Sequence, residues 1–214
     1  MELSGATTAN WVAKSANLLV DGYGAPSRTG LLLPLHWQTV ALLLAGVATG
    51  ATVVVADEAA ALEGCEVAFV VADQAAAAVS AGVDDVLVLS CTPFGTRLAQ
   101  VPPGTVDYAA DVPTYADHWG GAVPSRLDVH TAAGVLPSLP EVEVDGDDRV
   151  LVTGSPADPA TLAGVLAVLR RGAALVLVPD PASVDLGRLV ASEGVTAALG
   201  IDVPGTRLLV TLEG

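Results

Sequence analysis

Short apolar runs alternate with helix-length segments over the first ninety or so residues, and again from Arg149 onward. Residues 7–20 predict an amphipathic helix with Trp11, Val12, Leu18 and Leu19 on one side and Thr7 or Thr8 as its cap. Gly22, Gly24 and Pro26 end it. Residues 31–33 predict a strand, 34–36 a turn, 40–48 an apolar helix stopped at Gly50, and 53–55 the next strand. A short helix is expected at 59–62 and a strand at 67–71. A helix at 73–81, capped by Asp73, and a strand at 86–89 complete the block. The second block predicts strands at 150–152, 174–178, 195–199 and 207–211, with helices at 159–171 and 184–193.

Strands that read as unbroken Val and Leu runs are covered on both faces. Alternation with helices through short links then gives a mostly parallel α/β sheet, or sheets, flanked by helices. The segments 31–55 and 150–177 match as an internal βαβ pseudo-repeat: in each, a helix stops at glycine (Gly50, Gly172), followed by Ala and an apolar strand. Glycine adopts the left-handed stop at no steric cost. Between the blocks, Pro at 93, 102, 103, 113, 124, 137 and 140, with six glycines, breaks every period and leaves one or two short helices near Tyr108 and Tyr115. The expected organisation is one α/β unit over 1–214, or two tightly packed βαβ halves, 1–92 and 149–214. The irregular segment 93–148, functional, mobile or a domain seam, would join those halves.

Composition narrows the function. The 214 residues carry 24 acidic and 9 basic side chains, a net charge of −15. That excess argues against nucleic acid, whose phosphates need clustered cations. With 52% hydrophobic and 15% charged residues the chain is too apolar for disorder, and 22 Gly with 14 Pro exclude a coiled coil. Two cysteines exclude a disulfide scaffold. The charge-free stretch 29–56 has the length of a membrane span, but Pro34, His36, Gln38, Gly46 and Gly50 make it a buried βαβ unit. The amino terminus shows no basic and apolar leader, so the expected place is a reducing cytoplasm with free thiols. A homo-oligomer or a protein partner remains open.

Common catalytic patterns are missing. Gly22, Gly24 and Gly30 follow a helix at the wrong spacing for a dinucleotide loop. No Gly-x-Ser-x-Gly elbow and no Walker loop exist. Asp117, His118, Asp128 and His130 lack metal-ligand spacing, and no metal is expected. Asp145, Asp147 and Asp148 read as a solvated turn. Ligands in open α/β sheets sit at the carboxyl ends of strands. His36 with Gln38, Cys91 and Ser155 all follow predicted strands, so these four are the candidate ligand-binding residues, with no catalytic residue assigned. The simplest structural reading of His36 is a neutral side chain capping the helix start beside Trp37, and of Cys91 a small buried hydrophobe.

Several segments carry a resemblance. Glu2-Leu3-Ser4, Asn10-Trp11-Val12-Ala13, Asn17-Leu18-Leu19 and Leu31-Leu32-Leu33-Pro34 resemble the opening of the AMP-binding, adenylate-forming superfamily that includes acyl-CoA synthetases. Residues 149–156, 166–172 and 176–179 are similar to the strand-helix-strand that follows its phosphate loop. Lys14, Val20 and His36-Trp37-Gln38-Thr39 bring the chain closer to a small actinobacterial family of uncharacterised proteins related to AMP-binding enzymes. The resemblance covers most of this chain but only the amino-terminal part of a full synthetase, so a piece of a longer reading frame also fits. It implies the superfamily's fold. The superfamily's phosphate loop ends in Lys, whereas the single lysine here is Lys14, in the first helix; its aromatic-Gly-x-Thr-Glu motif is absent, and its carboxy-terminal catalytic Lys has no counterpart. The expectation is a degenerate, non-catalytic relative acting as a binding or partner module, with no cofactor. The alternative is a small-ligand protein or enzyme that binds ATP, AMP, CoA or an acyl group at the strand-end cleft.

Overall fold

A computed structural model describes residues 2–122, 124–136 and 138–209. The chain divides into two compact units, Met1–Val135 and Leu136–Gly214.

The first unit opens with α1 (Gly5–Asn17) and a π-type turn over Leu18–Gly22. Ser4, rather than a threonine, is the cap: its hydroxyl accepts from the Thr7 amide, and Thr7 and Thr8 lie inside the first turn. Next come β1 (Arg28–Leu32), α2 (Trp37–Thr49), β2 (Thr52–Val55), a 3-10 turn at Ala59–Leu62 and β3 (Val67–Val71). The segment expected as one helix from Asp73 is a 3-10 turn, Ala72–Gln74, followed by α3 (Ala75–Ser80), and Asp73 caps nothing. β4 covers Asp85–Leu89. The Pro/Gly-rich stretch then adds β5 (Val106–Asp107), the one-turn α4 (Tyr108–Asp111), β6 (Val129–Thr131) and β7 (Gly134–Val135).

These strands form a seven-stranded sheet in the order β5-β4-β3-β1-β2-β6-β7, parallel except for the β6–β7 pair. Alternation along the strands separates its faces. Leu32, Val54, Ala68, Val70, Val86 and Val88 pack with Ala75 and Ala78 of α3. On the other face α2 lies so close that a Cβ at Gly46 would stand 2.6 Å from Val53 Cγ2. The end of α2 shows why glycine recurs there. Gly50 holds φ +82 and its amide bonds back to Gly46 and Val47, which lets Ala51 turn directly into β2.

The second unit contains β8 (Arg149–Thr153), α5 (Pro159–Arg170), β9 (Ala174–Val178), α6 (Leu186–Glu193), β10 (Ala197–Leu199) and β11 (Arg207–Leu209). Of the last expected strand, Val210 and Thr211 lie outside the described residues. All neighbours are parallel, in the order β11-β10-β8-β9. No aromatic residue follows Leu136 in the sequence, so the core is aliphatic: Leu151, Val178, Val195, Ala198 and Val203 pack with Leu186, Leu189 and Val190 of α6. The order β11-β10-β8-β9 repeats β4-β3-β1-β2 of the first sheet. In both, the first strand is central, the second pairs on one side and the third on the other. Among the described residues no helix is long and apolar enough to cross a membrane.

Candidate functional site

In the first sheet the strand order reverses between β1 and β3. Chain leaving β1 heads towards β2 and chain leaving β3 heads towards β4, which makes their carboxyl ends the switch point where open α/β sheets take ligands. His36 follows β1 at this point, and Cys91 follows β4.

His36 is the N-cap of α2: its Nδ1 accepts from the Gln38 amide at 3.4 Å. Capping binds only one ring nitrogen. Nε2 is buried and has no hydrogen-bond partner. Burial lowers the ring's pKa from its ordinary value; the backbone of Thr92 opposes that shift without completing a hydrogen bond at Nε2. The ring is therefore neutral at pH 7. Gln38 is 1% exposed, and its Oε1 likewise lacks a partner. Two buried polar atoms left over at one helix start are unusual, since such atoms are nearly always paired.

The loop after β4 closes on this pair. Trp37 Nε1 donates to the Pro93 carbonyl at 3.0 Å. The Gly95 amide donates to the Thr92 carbonyl at 2.8 Å, forming a turn with Pro in its second place. Gly95 holds φ +58, and a Cβ there would stand 2.7 Å from Gln38 Nε2 and 2.9 Å from Trp37 Cζ2. Only glycine permits that approach. The loop's hydroxyls are spent internally: Ser90 Oγ donates to the Thr96 carbonyl at 2.7 Å, and the Thr92 and Thr96 hydroxyls lie 3.0 Å apart. Trp11 of α1 stacks near Trp37, with ring centroids 5.2 Å apart.

Cys91 is half-buried and adopts φ +47, a conformation that a side-chain-bearing residue takes only under constraint. Burial pushes its thiol up to about 11. At neutral pH it is a thiol rather than a thiolate nucleophile. Peptide-level mass spectrometry after treatment with a disulfide reagent at neutral pH should show Cys91 modified roughly a hundredfold more slowly than free cysteine. The difference should vanish in concentrated guanidinium. Equal rates in the folded protein would contradict the burial.

Ser155 belongs to the second unit, so the four candidates do not share one unit. It follows β8, and its Oγ accepts from the Ala157 amide at 3.1 Å, shaping the entry to α5. In the middle segment, Asp128 bonds His130 Nε2 at 3.0 Å and Thr52 Oγ1 at 2.5 Å, an arrangement that fastens β6 to β2. Among the described residues no group of three His, Cys, Asp or Glu is placed to hold a metal ion. The single lysine is also committed. Lys14 Nζ donates to the carbonyls of Tyr115 at 2.6 Å and Pro113 at 3.4 Å. Sequence reading set Trp37 beside the His36 cap but missed the part played by Gly95; the Thr92-Pro93-Phe94-Gly95 turn pattern is the signal that marks the loop.

No family model matches the chain. An inhibitor-bound N-terminal domain of FACL13 from Mycobacterium tuberculosis superposes with a TM-score of 0.72 at 17% identity, over 97% of this chain and 62% of that one. An acyl-CoA synthetase from Brucella canis gives 0.73 at 17% identity, over 93% and 42%. The chain thus has the fold of acyl-CoA synthetase N-terminal domains and spans less than two thirds of either structure's length. A protein of Mycobacterium tuberculosis (strain ATCC 25618 / H37Rv) described as a TIGR03089 family protein is 37% identical over 213 residues, covering 93% of this chain and 86% of the relative. That extent of identity places the chain in the TIGR03089 family.

Proposed function

We propose that this protein is a non-catalytic relative of the AMP-binding, acyl-CoA synthetase N-terminal domain, acting as a binding or partner module. The observation that carries this reading is the engagement of Lys14, the chain's one lysine, with two backbone carbonyls on the loop beside α1. Adenylation places a triphosphate and builds charge on it, so it demands cations aimed at the phosphates. A chain at −15 commits its single lysine to tying a loop, which leaves only eight arginines against 24 acidic side chains for that task. Supplied with ATP, magnesium and a panel of carboxylic acids, the purified protein should release no pyrophosphate above the uncatalysed background. Release that depends on the acid would overturn the reading.

A second reading, a small-ligand protein or enzyme using the strand-end cleft, is favoured by the unpartnered atoms of His36 and Gln38. Titration with ATP–magnesium, AMP, CoA and acyl-CoA separates the two. Binding in the low micromolar range supports the second. No binding, together with a stable complex recovered by native pulldown, supports the first.

A further inference from the structure

We propose that Gln38 Oε1 and His36 Nε2 are the recognition atoms of a binding site for an uncharged amide, at the carboxyl ends of β1 and β4. The proposal rests on the second reading, a small ligand at the strand ends, and specifies the chemistry of that ligand. Its basis is the chemistry of the two leftover atoms. Gln38 Oε1 is a buried carbonyl oxygen without a donor. His36 Nδ1 accepts from the Gln38 amide, so a neutral ring carries its proton on Nε2, and this buried N–H completes no hydrogen bond, although the Thr92 backbone acts on the ring. One acceptor and one donor complement a group that holds N–H and C=O together, which is an amide. A carboxylate or phosphate would face the Gln38 oxygen with like polarity. The residues that touch the pair, Trp37, Thr92 and Gly95, carry no charge of their own.

The surroundings fit such a ligand. Trp37 is fixed by its bond to Pro93, and Trp11 lies against it. Phe94, on the same loop, is 73% exposed, a large aromatic left uncovered beside the site. Both features suit an amide with an apolar body. Gly95 presses on the Gln38 amide closely enough that any side chain there would displace it.

Benzamide and benzoate, equal in shape and different in charge, are the probes. In 15N–1H spectra of the full chain, benzamide should produce saturable shifts in the Gln38 side-chain amide and the Trp37 indole, and benzoate should not. Gln38→Met keeps the length and removes the acceptor; it should weaken benzamide binding by roughly tenfold or more while the folded spectrum persists. Gly95→Ala, which displaces the amide without removing it, should weaken binding too and decides the matter if Gln38→Met does not fold. Benzoate binding as well as benzamide, variants binding unchanged, or the absence of saturable shifts would each overturn the proposal. None of these outcomes bears on the pyrophosphate assay, so the two readings fail separately.

Discussion

Replacing Tyr108 by Ala should cost the first unit about 4 kcal/mol of stability, the largest effect expected of a single substitution here. Tyr108 is fully buried in α4. Its ring meets Phe69 of β3 edge-on, with centroids 5.7 Å apart and planes at 88°, and lies 6.4 Å from Trp11. Ser15 Oγ donates to the Trp11 carbonyl at 2.7 Å, so the Tyr108 hydroxyl is the donor in the 2.8 Å bond to Ser15. Burial raises the phenol's pKa well above its ordinary value, so this donor stays protonated. Truncation to Ala therefore opens an aromatic-sized cavity and leaves Ser15 with one lone pair unmet. Tyr108→Phe should lose only about 1 kcal/mol, because the packing survives and a single bond goes. All three tryptophans, Trp11, Trp37 and Trp119, lie in the first unit, so denaturant titration followed by tryptophan fluorescence reads this unit directly. Equal losses for Ala and Phe would mean that the hydroxyl, not the ring, holds α4.

Long periodic segments were legible in the sequence, and for a physical reason. Val67–Val71 is a buried parallel strand and Ala174–Val178 a half-buried parallel strand at the end of its sheet; their unbroken Val and Leu runs leave little alternative, and both match expectation residue for residue. α2 begins at Trp37, directly after the His36 cap that the sequence offered, whereas the apolar run marked only residues 40–48; its glycine stop was plain. The middle segment defeated periodicity. β5 and β7 have two residues each and β6 has three, too short to show alternation. They exist because Val88 and Val54 offer open ladder positions to Asp107 and His130, a tertiary cause invisible to local pattern. The site divides in the same way. His36 and Gln38 are flagged by a polar pair at a strand end. Their unpaired atoms follow from how the Thr92–Gly95 turn packs on Gln38, which no local sequence rule specifies.

Lowering the pH from about 4 to about 2 should loosen the second sheet, and the cause is Asp148. The sequence suggested a solvated acidic turn; the structure instead builds this residue into the start of three strands. Asp148 Oδ1 accepts from Thr196 Oγ1 at 2.6 Å and from Arg207 Nη2 at 2.7 Å, while Thr196 Oγ1 accepts from the Arg149 amide at 3.1 Å. Asp148 thereby joins the entries to β8, β10 and β11. The Thr196 hydroxyl, then the Arg207 guanidinium, hold its carboxyl down to about 2 from an ordinary value near 3.8. A carboxylate depressed in the folded state favours folding at any pH above the unfolded value. That contribution disappears as pH falls through the folded one. The Asp148 side chain is 13% exposed but Arg207 is 53% exposed, so solvent screening reduces the linkage to about 1–2 kcal/mol. Amide signals of Leu151, Thr196 and Ala198 should broaden or shift over this interval in the parent protein. In Asp148→Asn, which keeps an acceptor for Thr196 and gives up the charge, the same signals should start from lower stability and lose most of that dependence. Superimposable acid titrations of parent and variant would show that the charge on Asp148 contributes nothing to holding β11 against β10.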